Sequence, residues 1–489
     1  MKNKKIILGV VGLLVAVLLI FPGVMGDQIE KQTKSYFKEI YQATSNQNFE
    51  IEFEKGWFTS TATISYELPQ NYFQMIALDP ESYENFPEKQ KIEIQVYHGP
   101  IIYSSFGFGL AGYSAEGSFF PVPSEQLKTP YNSIPDYSFH GVMSFVGSVT
   151  SVLRIPAFEL PFQGPFDLAD PGFEQQTSII KFQEILVESV AKFQDQKLNL
   201  KLLPFRFSFS AINAQKQEFK MGFENIQFDG FYLLDVPYPI NYDRGTFSVG
   251  MISFKMDDKE FLIDSINSAD VITRDQATPL LQYNSKFHFG PIGFHEAGDE
   301  DRTPQILSTQ GSVEVLNIQG NAIVQLIDTL VGLSEPPTEE EAATLKTIGE
   351  EILSVGLEFN YPEINVETQW GNVHYSQRMV FPPLELENGL FPNAFAKNLY
   401  YQGNFELDEN FVNFLVDQVL KNQMGANLEN LDDETQKNLR AATLGQLLLA
   451  KYLVKNEDGT FTAKFAFENG IFTLNGNPMD LMQALGQTS

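Results

Sequence analysis

Apolar and polar residues alternate along most of this chain, the period-two pattern of strands whose two faces meet different surroundings. Phe49, Ile51 and Phe53 start the alternation, Gly56 interrupts it, and Ala62, Ile64, Tyr66 and Leu68 resume it, which predicts a hairpin. Further strands are expected over residues 91–96, 205–210, 218–228, 245–256, 281–289, 312–320, 352–359 and 366–375. Proline-rich interruptions at 121–130, 161–171 and 237–239 belong between strands, because proline brings no N–H to a ladder.

Helical spacing is the minority pattern. Ile29, Tyr36, Phe37 and Ile40 predict a helix over 27–41, whose apolar stripe should pack on the first sheet, with a membrane-interface or dimer contact as alternatives. Ile179, Phe182, Ile185, Leu186 and Phe193 predict another over 176–194, and shorter ones are expected at 261–269 and 322–330. Toward the C-terminus, Asp408 caps a helix beginning near Glu409, and 432–451 supplies a second. This antiparallel pair should lie on a sheet ending in a hairpin over 460–474, with Phe461, Ala463, Phe465 and Phe467 buried together. The acidic, proline-containing stretch 334–341 separates a central strand-rich region, 27–333, from a C-terminal sheet with its helix pair and final hairpin, 342–489.

The first residues read differently. Lys2, Lys4 and Lys5 precede an uncharged, largely apolar run over residues 6–25. Such a run forms a helix of roughly 30 Å, the thickness of a bilayer's hydrocarbon core, whereas the apolar part of a cleaved signal peptide is about 7 to 15 residues. Residues 1–26 are therefore expected to be a retained signal anchor, with cleavage after Gly26 as the alternative. The basic side stays cytoplasmic, which places the large body across the membrane, in the periplasm if the source is a Gram-negative bacterium. The expected fold class is mainly β with packed helices (α+β), an N-terminal transmembrane helix leading into an elongated strand-rich periplasmic body.

Composition narrows the chemistry. The 489 residues carry 33 basic against 62 acidic side chains, a net charge of −29, so nucleic acid is excluded as a partner. The absence of cysteine excludes thiol catalysis and thiolate metal ligation. No Gly-x-Ser-x-Gly elbow, His-Glu-x-x-His helix or phosphate-binding loop occurs, and Gly107-Phe108-Gly109 lacks the rest of a dinucleotide fingerprint. The phrases Tyr97-His98-Gly99-Pro100-Ile101 and His288-Phe289-Gly290-Pro291-Ile292 predict a repeated turn. His98 and His288, with His295 and Glu296 nearby, are too few to make a metal centre, while His140 and His374 stand in unrelated surroundings. Acidic runs at Asp257-Asp258, Asp299-Glu300-Asp301 and Asp432-Asp433-Glu434 lack the ligand spacing of a calcium loop and read as solvated turns. Trp57 and Phe58 beside Gly56 are expected to pack over the turn, a surface anchor being the alternative. No catalytic, cofactor-binding or metal residue is assigned, and an enzyme is not expected.

The charged start and apolar segment, Lys55-Gly56-Trp57-Phe58-Thr59-Ser60, His98-Gly99-Pro100, and the ending Phe467-Glu468-Asn469-Gly470-Ile471-Phe472-Thr473-Leu474-Asn475-Gly476 resemble the bacterial YdgA-like family, DUF945. The resemblance spans nearly the whole chain and departs at Ile101, where the family pattern has Phe. It implies an inner-membrane-anchored periplasmic protein without an assigned catalytic activity. A single span before a strand-rich body is also similar, more distantly, to AsmA-like envelope proteins. The expected function is a non-enzymatic cell-envelope structural or interaction protein; the alternative is binding or transfer of lipid or another apolar ligand through a β-sheet groove. Expected partners are the inner membrane through residues 6–25, with envelope proteins or lipid acyl chains, and no cofactor.

Overall fold

The computed structural model describes residues 29–31, 33–34, 49–67, 89–104, 107–117, 136–144, 148–162, 178–194, 197–212, 218–234, 236, 240–256, 259–274, 280–296, 303–331, 338–383, 399–425 and 431–479. The chain divides into two compact units. Unit 1 comprises Met1–Lys259 with Ile327–Glu341, and unit 2 comprises Glu260–Leu326 with Ala342–Ser489.

Unit 1 is an antiparallel meander. Strands β1 (Phe49–Glu54), β2 (Thr59–Glu67), β3 (Lys89–Ser104), β4 (Gly107–Gly117), β5 (Tyr137–Met143) and β6 (Ser148–Ile155) pair in succession. After β7 (Phe158–Phe162) and β8 (Ser178–Phe182), β9 (Ile185–Gln194) joins β6, and β10 (Lys197–Ile212) joins β9. Strand β10 also pairs along its length with β11 (Glu218–Leu233). Both are long enough to take two neighbours: the second half of β10 accepts β8, which in turn accepts β7. The halves of β11 accept β12 (Tyr242–Val249) and β13 (Met251–Met256). Register shifts flank Phe205, where Pro204 supplies no ladder N–H, and the opposing extra residue at Asn225 (φ 53°) restores the phase.

One face of the first half of this sheet is sealed. Helical residues 29–31 and 33–34 bring Ile29 and Thr33, both fully buried, onto a core of Ala62, Ile64, Ile94, Val96, Ala111 and Leu198. Of the expected apolar stripe Ile29 packs on the sheet, while Tyr36, Phe37 and Ile40 lie outside the described residues.

Unit 2 contains β14 (Lys259–Ile263), β15 (Ile266–Arg274), β16 (Leu280–Phe289), β17 (Ile292–Glu296), β18 (Ile306–Gln319), β19 (Leu357–Thr368), β20 (Gly371–Phe381), β21 (Tyr400–Leu407), β22 (Val454–Lys455), β23 (Phe461–Glu468), β24 (Ile471–Leu474) and β25 (Asn477–Met479). Its antiparallel order runs β15–β16–β18–β19–β20–β21–β23–β24–β25. Helices α1 (Gly320–Val331) and α2 (Glu339–Ser354) follow β18, and α3 (Glu409–Met424) and α4 (Asp433–Leu449) separate β21 from β22. Val412, Val416 and Leu420, spaced by four along α3, are buried with Leu407 and Phe461. The last two turns are Asn-Gly pairs, Asn469-Gly470 and Asn475-Gly476, all with positive φ, the geometry that suits the twist of a two-residue hairpin.

Several expectations are corrected. Within the region 176–194, residues 178–194 form β8 and β9 rather than a helix, and 261–269 lies in β14 and β15: burial alternates with period two along β9 and β15, and paired neighbours satisfy their backbones. Rather than starting a strand, residues 352–354 finish α2, and 355–356 lead into β19. A reciprocal cap starts this helix, with the Glu341 carboxylate accepting from Thr338 N (2.7 Å) and Thr338 Oγ1 accepting from Glu341 N (3.2 Å). The stretch 366–375 holds the turn between β19 and β20, not one strand. Neither Gly-Pro phrase forms the expected turn: Gly99-Pro100 is an irregularity inside β3, and Gly290-Pro291 interrupts the run of β16 into β17, both of which pair with β18 in one register.

The α+β description with a transmembrane helix also gives way, to a mostly β protein with short helices. Among the described residues no helix is long and apolar enough to cross a membrane. The longest, α4, spans about 26 Å and carries Asp433, Glu434, Lys437 and Arg440. The expected span over 6–25 lies outside the described residues. Membrane anchoring, inner-membrane localisation and a periplasmic body therefore have no structural element behind them and are withdrawn, together with envelope and lipid partners.

Candidate functional site: an open phenylalanine face

The registers of β7, β8, β10, β11 and β13 place their apolar residues on one face. Phe158 opposes Phe182, which opposes Phe209; Phe209 opposes Met221, which opposes Phe254. The adjacent rows add Ile180, Ala211, Phe219 and Met256 on one side, and Phe207, Phe223 and Ile252 on the other. The rings touch in sequence. Phe158 stacks on Phe182 with centroids 4.6 Å apart, Phe182 lies 5.7 Å from Phe209, Phe209 lies 6.0 Å from Phe219, and Phe219 meets Phe254 edge-on at 4.6 Å. Phe207 joins Phe182, Phe209 and Phe223 at 6.0 to 6.2 Å.

None of these rings is buried. Each is half-buried, Met256 is 49% exposed, and Ala211 alone falls in the buried class. The reverse side of the same strands is polar, with Glu159, Lys181, Ser210, Lys220 and Lys255 in one cross-strand row and a 2.9 Å ion pair between Lys181 and Glu159. The sheet is thus amphipathic here, as it is beneath residues 29–34. The difference is burial: Ile94, Val96 and Leu198 are at most 3% exposed in the sealed half.

The residues singled out by sequence are dispersed. His98 is buried in unit 1, its Nε2 2.9 Å from Ser60 Oγ, and Ser60 Oγ also accepts from Gly56 N (3.2 Å). This pair sits under the turn that presents Trp57 and Phe58, which are 55% and 52% exposed and do not pack over it. His140 is exposed beside Ser114. His295 is buried next to Gly293. His288 and His374 share one cross-strand row of unit 2, Asn267–His288–Gln310–Asn365–His374–Glu406–Thr462, but stand three strands apart, about 14 Å. Among the described residues no group of three His, Asp or Glu side chains is placed to hold a metal ion. Asp432, from one acidic run, caps α4 by accepting from Thr435 N (2.9 Å); that bond and one from the Thr435 hydroxyl hold its carboxyl below the usual range. Asp257–Asp258 and Asp299–Asp301 lie outside the described residues.

Sequence reasoning missed the face as a unit. It found the strands around Phe207 and Phe223 but assigned Phe182 to a helix, and Phe158 to no element. The available signal was the alternation Phe205, Phe207, Phe209 against Phe219, Met221, Phe223, which marks two neighbouring strands with one apolar side.

A family model described as "Bacterial protein of unknown function (DUF945)" matches residues 1–482. No curated protein and no solved structure matches the chain. The comparisons give no support to the likeness to AsmA-like proteins. With nearly its whole length matched, the chain belongs to the DUF945 family of bacterial proteins of unknown function.

Proposed function

We propose that this protein is a non-enzymatic binding protein that holds an apolar small molecule on the phenylalanine face of unit 1. The observation that supports this reading is the half-buried state of every ring in an unbroken apolar surface across five strands. Protein interfaces mix apolar and polar area, with a polar rim, whereas small-molecule sites are lined predominantly by hydrophobic and aromatic side chains. A surface with no polar side chain among its central rows fits the second description.

The test is a fluorescence titration of the full chain with N-phenyl-1-naphthylamine, repeated with Phe182→Asp and Phe209→Asp. Binding by the parent protein, lost at least tenfold in both variants while urea unfolding midpoints stay put, is the expected result, since a charge in the contact surface must be desolvated by the probe. Unfolding by either substitution would mean that the rings form a closed core. A concentration-dependent dimer that excludes the probe would assign the face to a second copy instead.

A further inference from the structure

The last two turns of unit 2 share a backbone conformation and differ in what holds their side chains. The φ angles are 54° and 77° in Asn469-Gly470, and 48° and 78° in Asn475-Gly476. Asn475 is held in place. Its Oδ1 accepts from Lys464 N (2.8 Å), and its Nδ2 donates to Lys451 O (2.9 Å) and Tyr452 O (3.2 Å), which ties the segment after α4 to the sheet. Asn469 stands exposed between Glu468 and Gly470, and its side chain makes no hydrogen bond among the described residues. We propose that Asn469 is a site of spontaneous deamidation, converted to aspartate or isoaspartate while Asn475 in the twin turn is protected.

The reaction needs a backbone nitrogen as nucleophile and a side-chain amide as electrophile, and the turn supplies both. The Gly470 nitrogen gives its proton to hydroxide and attacks Asn469 Cγ; a C–N bond forms, the Cγ–Nδ2 bond breaks and ammonia leaves, closing a cyclic succinimide. Water then opens the ring. Addition at Cγ leaves aspartate, and addition at the Asn469 backbone carbonyl leaves isoaspartate. Glycine suits the step because no side chain shields its nitrogen, and a Cβ built on Gly470 would meet no atom within 4 Å. Gly476 is equally open, so the side-chain bonds make the difference. Asn469 can swing its amide onto the glycine nitrogen, whereas Asn475 must first give up its bonds to Lys464, Lys451 and Tyr452. A further Asn-Gly pair, Asn388-Gly389, lies outside the described residues.

The two products act differently on the hairpin. Asp-Gly suits the same two-residue turn as Asn-Gly, so aspartate keeps the pairings of Glu468 with Ile471 and of Phe467 with Phe472, and adds a negative charge beside Glu468. Isoaspartate routes the main chain through Cβ and Cγ. That lengthens a turn whose size fixes the register, and the pairing of β23 with β24 loosens from this end.

Ageing of the full chain in mildly alkaline buffer, followed by trypsin digestion and electron-transfer fragmentation in a mass spectrometer, decides the matter. Both asparagines lie in the peptide that follows Lys464, so their conversions are read side by side. In the folded chain Asn469 should convert about tenfold faster than Asn475 or more, since the bonds holding Asn475 must break before attack. In urea, where those bonds are gone, the two rates should converge. Amide hydrogen exchange over Ile471–Leu474 should rise in the isoaspartate form and stay at the parent level in Asn469→Asp. Equal rates at the two asparagines in the folded chain, faster conversion at Asn475, an unmodified Asn469 in the folded chain, or unaltered exchange in the isoaspartate form would overturn the inference.

Discussion

Two residues in unit 1 show how single positions set local structure. A Cβ built on Gly56 would lie 2.0 Å from the carbonyl oxygen of Thr59, so no other residue fits this turn without moving backbone. Gly56→Ala should lower stability by about 1 to 3 kcal/mol in urea unfolding, and an unchanged midpoint would show that the turn relaxes freely. Tyr113 supplies a pH signature. Burial pushes its hydroxyl from 10.0 up to about 12, against a smaller opposing effect of the hydrogen bond with Thr33. Between these values the unfolded chain has released the proton and the folded chain has kept it, so stability falls as pH rises above about 10 and stops falling near 12. The contribution is roughly 2 to 3 kcal/mol. Tyr113→Phe should flatten that part of the stability profile relative to the parent; parallel profiles would contradict the assignment.

Elements follow from whether their apolar side finds a cover. On β23 the alternation Phe461, Ala463, Phe465, Phe467 was expected to bury evenly, but α3 covers the first part: Phe461 is fully buried and Ala463 is 7% exposed, while Phe465 and Phe467 are half-buried. Phe461→Ala should therefore cost about 3 to 5 kcal/mol in chemical denaturation, and Phe465→Ala clearly less; equal costs would refute the gradient. The same consideration explains what was legible in the sequence. The final hairpin was readable because Asn469-Gly470 adopts a conformation that few other pairs tolerate, and α3 and α4 because their apolar residues recur at helical spacing over four turns. The 176–194 region was not, since Ile179, Phe182 and Ile185 fit a helical spacing while the pairings with β6 and β10 decide the outcome.

At the scale of the whole molecule, the two units cover the apolar faces of their strands differently. In unit 2, α3 and α4 provide a hydrophobic cluster over β21 and β23, so that face serves stability. In unit 1, the first half of the sheet is closed by residues 29–31 and 33–34, and the phenylalanine face farther along keeps its rings only half-buried. Leaving such a surface in contact with water forgoes roughly 25 cal/mol for each Å² of apolar area, and that cost is the physical ground of the proposed binding role. This account stands on the openness of that face, and photochemical footprinting of the intact chain with a small diazirine, read residue by residue by mass spectrometry, tests it most directly. Carbene insertion at Phe182, Phe207, Phe209, Phe219 and Phe254 well above that at Phe461 is the predicted result; labelling of those rings no greater than at Phe461 would show a closed core and contradict it.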